Sequence, residues 1–355
     1  MSHFHSLAVK EIREETPDCV SVVFDIPEEL KESFKFIQGQ YLTLKTDIEG
    51  EEVRRSYSLC SSPLEGEWRV AVKRVEDGKF STFVNRELKC GDHVEVMLPN
   101  GRFYTEIDPS QEKSYVAFAA GSGITPILSI IKTHLELEPK SSFKLFYINQ
   151  SVSSIILKEE IEGLKNRFFQ RFEIFHFLTQ EERNIPLFNG RLDREKLEVL
   201  ANSLLDIKGT DDFFICGPEE MIFLLRDFLM EREVEAKQIH FELFNTSTAN
   251  RKKPGKSQSA NSAMSEVQIL EGGKSFTFKI PRGSDFILDA ALDRSADLPF
   301  ACKGGVCCTC KAKLIEGEVD MEVNYSLEKE ELDAGYILTC QSVPKSDKVI
   351  VDFDS

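Results

Sequence analysis

Ala301-Cys-Lys-Gly-Gly-Val-Cys-Cys-Thr-Cys-Lys311 is the stretch on which the reading of this chain turns. Cys302, Cys307 and Cys310 have four and then two residues between them, and Cys340 follows Cys310 by thirty positions. Three thiolates in one tight loop and a fourth on a distant segment is the plant-type spacing for a [2Fe–2S] cluster. Gly304 and Gly305 let the backbone curl around a ligand with no Cβ in the way. Structural zinc prefers two C-x2-C knuckles. Here only Cys307 and Cys310 form one, so the cluster is the expectation. Cys308 is read as an extra thiol beside the ligands.

The chain has 355 residues, 41% of them hydrophobic and 29% charged, which suits a globular protein of two or three domains. No run of about 18 apolar residues suggests a membrane helix. The start, Met1-Ser-His-Phe-His-Ser6, lacks the basic and apolar regions of a secretion signal, so the expected location is the cytoplasm. A net charge of −16 argues against nucleic acid as a partner. From Met264 onward there are 17 Asp/Glu against 10 Lys/Arg, much of the excess between Glu316 and Asp333. That run is either a solvated face or a docking surface for an electron acceptor.

Residues 246–265 are polar, rich in Ser and Asn and without apolar periodicity, and are expected to be a flexible linker. Beyond it, alternating Val267 and Ile269, a Gly272-Gly273 turn, and alternating Phe276, Phe278 and Ile280 predict a hairpin. Ser284 is expected to N-cap a helix running to about Arg294. With strands at 311–315 and 349–351, residues 266–355 read as an α+β domain of the β-grasp ferredoxin type. Residues 107–245 alternate strand and helix, beginning with a strand at 115–119 and a helix at 126–137, and predict an α/β domain with a parallel sheet. Residues 1–106 carry short alternating strands and read as an antiparallel β-barrel.

Three loops have the chemistry of cofactor sites. In Arg55-Ser-Tyr57-Ser58, the Tyr57 ring offers a plane for a flavin, Ser58 reaches its N5 region, and Arg55 can grip a pyrophosphate. The alternative is an ordinary strand end. Ser81-Thr82 is expected to open a short helix as an anion site, or simply to cap it. Gly121-Ser-Gly123-Ile-Thr125-Pro126 lies between a strand and a helix, where glycines allow a pyrophosphate to approach. Cys216-Gly217-Pro218 closes another strand at the same sheet edge; the plain alternative for Cys216 is a buried thiol.

R-S-Y-S, G-K-F-S-T, G-S-G-I-T-P and C-G-P, in this order, resemble the ferredoxin–NADP reductase superfamily. With the cysteine motif at the C-terminal end, the chain is similar to oxygenase reductases with a fused plant-type ferredoxin. The start F-H-S-L-A-V-K-E-I and the tail N-Y-S-L-E…G-Y-I-L-T-C-Q-S place the resemblance nearest the reductases of phenylacetyl-CoA epoxidases. The resemblance implies FAD held by Arg55, Tyr57 and Ser58, with phosphate contacts near Phe80, Ser81 and Thr82. It implies NADPH or NADH on Gly121, Gly123, Thr125, Pro126, Cys216, Gly217 and Pro218. Ser58, Cys216 and Glu242 become the candidate catalytic residues, Glu242 as a C-terminal residue set against the flavin. Cys302, Cys307, Cys310 and Cys340 become the cluster ligands. Relatives often carry Asn-Arg after the second strand of the nucleotide domain. Here the pair is Asn149-Gln150, which removes a cation from the 2′-phosphate end and leaves Ser151 or Lys158 to compensate. The implied activity is NAD(P)H-dependent reduction of an oxygenase, a di-iron epoxidase acting on phenylacetyl-CoA in phenylacetate degradation. Other readings are a reductase for another hydroxylase or ferredoxin-type acceptor, a non-enzymatic redox sensor, and a zinc-stabilised flavin reductase.

Overall fold

A computed structural model of the chain describes residues 4–244 and 263–355; most of the expected linker lies outside the described residues. The larger of two compact units takes His5–Val53 and residues 57–244. Its first part holds β1 (Phe4–Thr16) from His5 onward, β2 (Cys19–Asp25), β3 (Tyr41–Ile48), β4 (Glu51–Ser58) apart from residues 54–56, β5 (Trp68–Lys73), α1 (Lys79–Arg86) and β6 (His93–Met97). The strands run in the order β4-β3-β6-β1-β2-β5. A bridge between Leu59 and Val70 joins the end of β4 to β5, so the two outer strands meet as the barrel reading expects. Inward residues such as Leu42, Leu44, Val70, Val72, Val94 and Val96 alternate along the strands and fill the core.

The second part of this unit holds β7 (Ser114–Ala120), α2 (Ile124–Leu137), β8 (Ser142–Asn149), α3 (Lys158–Arg167), β9 (Phe172–Leu178), α4 (Arg194–Ala201), β10 (Asp212–Gly217), α5 (Glu219–Met230) and β11 (Ile239–Leu243). The sheet is parallel throughout, in the order β11-β10-β7-β8-β9. Its central strands are near-continuous apolar runs, because both faces are covered. Strand order reverses between β7 and β10, so a crevice opens at their carboxyl ends.

Charged side chains tie the barrel to the parallel sheet. Arg69 on β5 donates to both carboxylate oxygens of Glu160 on α3, at 2.7 and 2.8 Å. Lys132 on α2 pairs with the same Glu160 and lies 2.9 Å from Glu65. Ser129 donates to the Ser61 carbonyl at 2.6 Å, and the hydroxyls of Ser62 and Thr133 meet at 2.9 Å.

The smaller unit holds β12 (Met264–Glu271), β13 (Lys274–Pro281), α6 (Ile287–Leu292), β14 (Lys311–Glu316), β15 (Val319–Met321), α7 (Lys329–Asp333), β16 (Tyr336–Leu338), β17 (Ser342–Pro344) and β18 (Lys348–Asp352). The mixed sheet runs β13-β12-β18-β14-β16, with β15 and β17 paired separately. Ile287, Leu288, Ala290 and Ala291 bury one side of α6 in this unit's core. The carboxylate of Asp354 accepts from the N–H groups of Gly272 and Gly273 at 2.7 and 3.0 Å, closing the hairpin turn.

Three local expectations change. β12 starts at Met264, so Met264 and Ser265 are strand residues; Ser265 is buried and donates to the Ser346 carbonyl at 2.6 Å. Ser284 does not cap α6: its hydroxyl donates to the Pro281 carbonyl, and the helix begins after Phe286. Ser81 and Thr82 lie inside α1, whose N-cap is Gly78; the Ser81 hydroxyl accepts from Val75 N–H and donates to the Gly78 carbonyl. In both serines, a nearby backbone carbonyl competes with the capping role.

Candidate cofactor and electron-transfer sites

The crevice of the parallel sheet gathers the two nucleotide motifs. Gly121 has φ +53 and open space where a side chain would stand. Gly123 is the opposite case. A Cβ there would sit 2.2 Å from the Cys216 carbonyl oxygen, so only glycine lets this loop close against the end of β10. Thr125 donates to the Ser122 carbonyl at 3.0 Å, and Pro126 occupies the first turn of α2. The Tyr147 hydroxyl donates to the Gly121 carbonyl at 3.0 Å and fixes the loop from below.

This loop borders a cavity of 840 Å³, lined also by Asn149, Gln150, Thr179, Arg191, Gly217 and Pro218. Asn149 is 5% exposed, and its Nδ2 has no hydrogen-bond partner among the described residues, which suits a site that receives a polar ligand. Arg191 stands in no motif that the sequence offered, and Asn149 drew notice only as half of the Asn149-Gln150 pair, not as a buried polar group facing this cavity. Of the two residues considered for a 2′-phosphate, Ser151 meets the Ser153 hydroxyl at 3.0 Å. Lys158 lines a different cavity of 570 Å³ with Glu162 and His176.

Cys216 and Glu242 face each other on neighbouring parallel strands, β10 and β11. The Ser58 hydroxyl donates to Glu242 Oε2 at 3.0 Å. Thus three candidates spread along 184 residues of chain converge, two in hydrogen-bond contact and one on the same rung. Burial pushes the Glu242 carboxyl up to about 8, against the opposing pull of Ser58, and pushes the Cys216 thiol well up. The Tyr57 ring is half-buried and lies 5.8 Å from the Phe80 ring, centroid to centroid. Arg55 is exposed on β4. An aromatic plane and a hydroxyl at the end of β4, with the Phe80 ring of α1 beside them, fit a flavin's ring.

In the smaller unit the four cysteines fall into two pairs. Cys302 and Cys307 bring their sulfurs to 3.2 Å, and Cys310 hydrogen-bonds to Cys340. Among the described residues, no three His, Cys, Asp or Glu side chains converge on one ion position. Two thiolates per iron, completed by bridging sulfides, are what a [2Fe–2S] centre asks of a protein. Cys302 Sγ accepts from the N–H groups of Gly304 (3.3 Å) and Cys307 (3.4 Å). The Cys307 thiol and these amides draw the Cys302 thiol down to about 6. Donors already aimed at a sulfur fit a group that carries negative charge. Cys308 donates to the Ser326 carbonyl at 3.4 Å, in keeping with its reading as a thiol beside the ligands.

Residues 6–104 match the oxidoreductase FAD-binding domain family, residues 118–227 the oxidoreductase NAD-binding domain family, and residues 269–345 the 2Fe-2S iron-sulfur cluster binding domain family. The chain is 42% identical to a component of the 1,2-phenylacetyl-CoA epoxidase of Escherichia coli (strain K12), covering 100% of this chain and 99% of the relative. It belongs to the FAD- and [2Fe–2S]-containing oxygenase reductases. A second member, the ferredoxin reductase component of 3-ketosteroid-9-alpha-monooxygenase from Mycobacterium tuberculosis, is 32% identical over 99% of this chain and 96% of its own. The solved structure of phthalate dioxygenase reductase matches with a TM-score of 0.60 and 25% identity, covering 99% of this chain and 98% of that one. This oxygenase reductase is therefore an oxidoreductase with FAD-, NAD- and [2Fe–2S]-binding domains, of a family that passes electrons to oxygenase components. Among the described residues, no helix is long and apolar enough to cross a membrane.

Proposed function

We propose that this reductase serves a di-iron epoxidase acting on phenylacetyl-CoA. The observation that carries the reading is the end-to-end identity of 42% with a phenylacetyl-CoA epoxidase component, against 32% with a steroid monooxygenase reductase and 28% with a betaine one. Bound FAD and the [2Fe–2S] cluster would turn a two-electron hydride donor into single-electron deliveries.

The chain's residues divide the work. Gly121, Gly123, Thr125 and Pro126 receive the nucleotide pyrophosphate at the start of α2, where free N–H groups favour anions. Cys216, Gly217 and Pro218 form the wall for the nicotinamide. A buried, neutral thiol presents an apolar, polarisable surface there. Tyr57 backs the flavin ring, Arg55 takes its pyrophosphate, and Phe80, Ser81 and Thr82 flank the phosphates. Ser58 holds the Glu242 carboxyl in one orientation, and Glu242, protonated at neutral pH, holds a proton beside the site. Cys302, Cys307, Cys310 and Cys340 hold the irons.

The test pairs purified reductase with a phenylacetyl-CoA epoxidase and with a steroid hydroxylase, following NAD(P)H consumption coupled to product. Coupled turnover with the first and not the second is expected; the reverse would refute the assignment. In the same assay Cys302→Ser should abolish delivery to the oxygenase while nicotinamide-driven flavin reduction persists. Loss of flavin reduction in a folded variant would contradict the separation of roles.

A further inference from the structure

Gln341 follows Cys340 and is 3% exposed. Its carboxamide spans the gap between the segment carrying the fourth cysteine and the loop carrying the other three. Nε2 donates to the Lys303 carbonyl at 2.8 Å and lies 3.7 Å from Cys340 Sγ. A primary amide has two N–H donors, so one nitrogen serves both partners. The residue is also held by its backbone: its N–H donates to the Leu338 carbonyl, and its carbonyl accepts from Glu322, each at 2.9 Å. Space for the side chain is reserved across the loop. Gly305 has φ +74, and a Cβ there would meet the Val323 carbonyl at 2.9 Å and Gln341 Cγ at 3.2 Å.

We propose that Gln341 is a positioning residue for the [2Fe–2S] centre, raising its potential through an N–H donated to Cys340 and bracing the Cys340 segment against the Cys302–Cys310 loop. The proposal rests on the reading of the four cysteines as cluster ligands. A donor to a ligand sulfur stabilises the extra negative charge of the reduced state, so its removal favours the oxidised state. The brace acts separately, on retention of the cluster.

The test uses the full-length holoenzyme and the variants Gln341→Met and Gln341→Glu, neither of which can donate from this position when the glutamate is ionised. The midpoint potential is read by reductive titration followed with paramagnetic resonance, and retention by the rate of visible bleaching in air. With iron and sulfide content equal to wild type, the equilibrium constant for reduction should fall roughly three- to tenfold, or ~30–59 mV at 59 mV per decade for one electron. Gln341→Glu should shift further than Gln341→Met, and bleaching should accelerate in both. Flavin reduction by the nicotinamide should be unchanged. If Gln341→Met fails to keep its cluster, Gln341→Glu, which has the shape of glutamine, decides by its potential. Potentials equal to wild type in the loaded variants would overturn the proposal alone. A wild-type chain that takes up no iron and sulfide would overturn the four-cysteine reading itself.

Discussion

Ser58 on the barrel donates its hydroxyl proton to Glu242 on β11 at 3.0 Å, joining two parts of the larger unit at the point where its cofactor motifs meet. The bond opposes the burial that raises the Glu242 carboxyl to about 8. Ser58→Ala removes the opposing pull and should move the alkaline limb of flavin reduction to higher pH. Stopped-flow rates across pH 6 to 10 would show it, and a limb left in place would count against Glu242 as the titrating group.

The same carboxyl gives a stability prediction. Its folded value lies above the ordinary 4.5, so the folded chain keeps a proton that the unfolded chain has released. Stability of the flavin-free protein should fall as pH rises from about 4.5 to about 8 and then level off. Glu242→Gln should remove about 3 kcal/mol of that descent, discounted for partial exposure. Urea titrations followed by Trp68 fluorescence, at pH 5, 7 and 9, measure it.

Glu138 predicts the opposite slope. Fully buried, it accepts from the Tyr115 hydroxyl at 2.8 Å and lies 3.3 Å from His134 Nδ1. Burial tends to raise its carboxyl, but His134 and Tyr115 outweigh this and hold it at about 2. Its contribution is complete above pH 4.5 and lost as pH falls toward 2. Glu138→Gln should cost about 3 kcal/mol at pH 7 and nothing further on acidification, as acid-unfolding curves of the two proteins would reveal.

Lys132 and Arg69 are each 5% exposed at their side chains, and both converge on Glu160. Removing one member leaves a buried charge without its partner. Lys132→Met should therefore destabilise the larger unit by about 3–5 kcal/mol, and Lys132→Met with Glu160→Leu by less than the two single changes combined. Additivity in thermal melts would mean the charges act independently.

Gly123→Ala would place a methyl 2.2 Å from the Cys216 carbonyl. Because the obstacle is backbone, α2 must lift from β10. The expected result is a loss of about 1–3 kcal/mol and a KM for the nucleotide raised by roughly tenfold or more. Gly121→Ala meets no atom but must adopt a positive φ, so it should affect binding less.

The parallel sheet was legible because its strands are apolar runs with helical patterns between them; the observed β7 (Ser114–Ala120) encloses the strand at 115–119 read from sequence. The four cysteines stood out as a set from spacing alone. The three-residue strands β15, β16 and β17 did not, since they are too short to show a period. Ser81 and Ser284 looked like caps because serine often caps, and the competing carbonyls of Gly78 and Pro281 come within reach only once the chain has folded. Asn149 and Gln341 stand in stretches that carry the family resemblance, but nothing in those stretches marked their side chains: an ordinary polar residue becomes informative only when tertiary packing removes it from water.

The rung shared by Cys216 and Glu242 constrains more than those two side chains. Sliding β11 by one position would turn the carboxyl to the opposite sheet face, away from the Ser58 hydroxyl. The number of residues in the connection from Met230 to Ile239 is thereby as consequential as their identity. Insertions or deletions there should impair chemistry even where the altered turn touches no ligand.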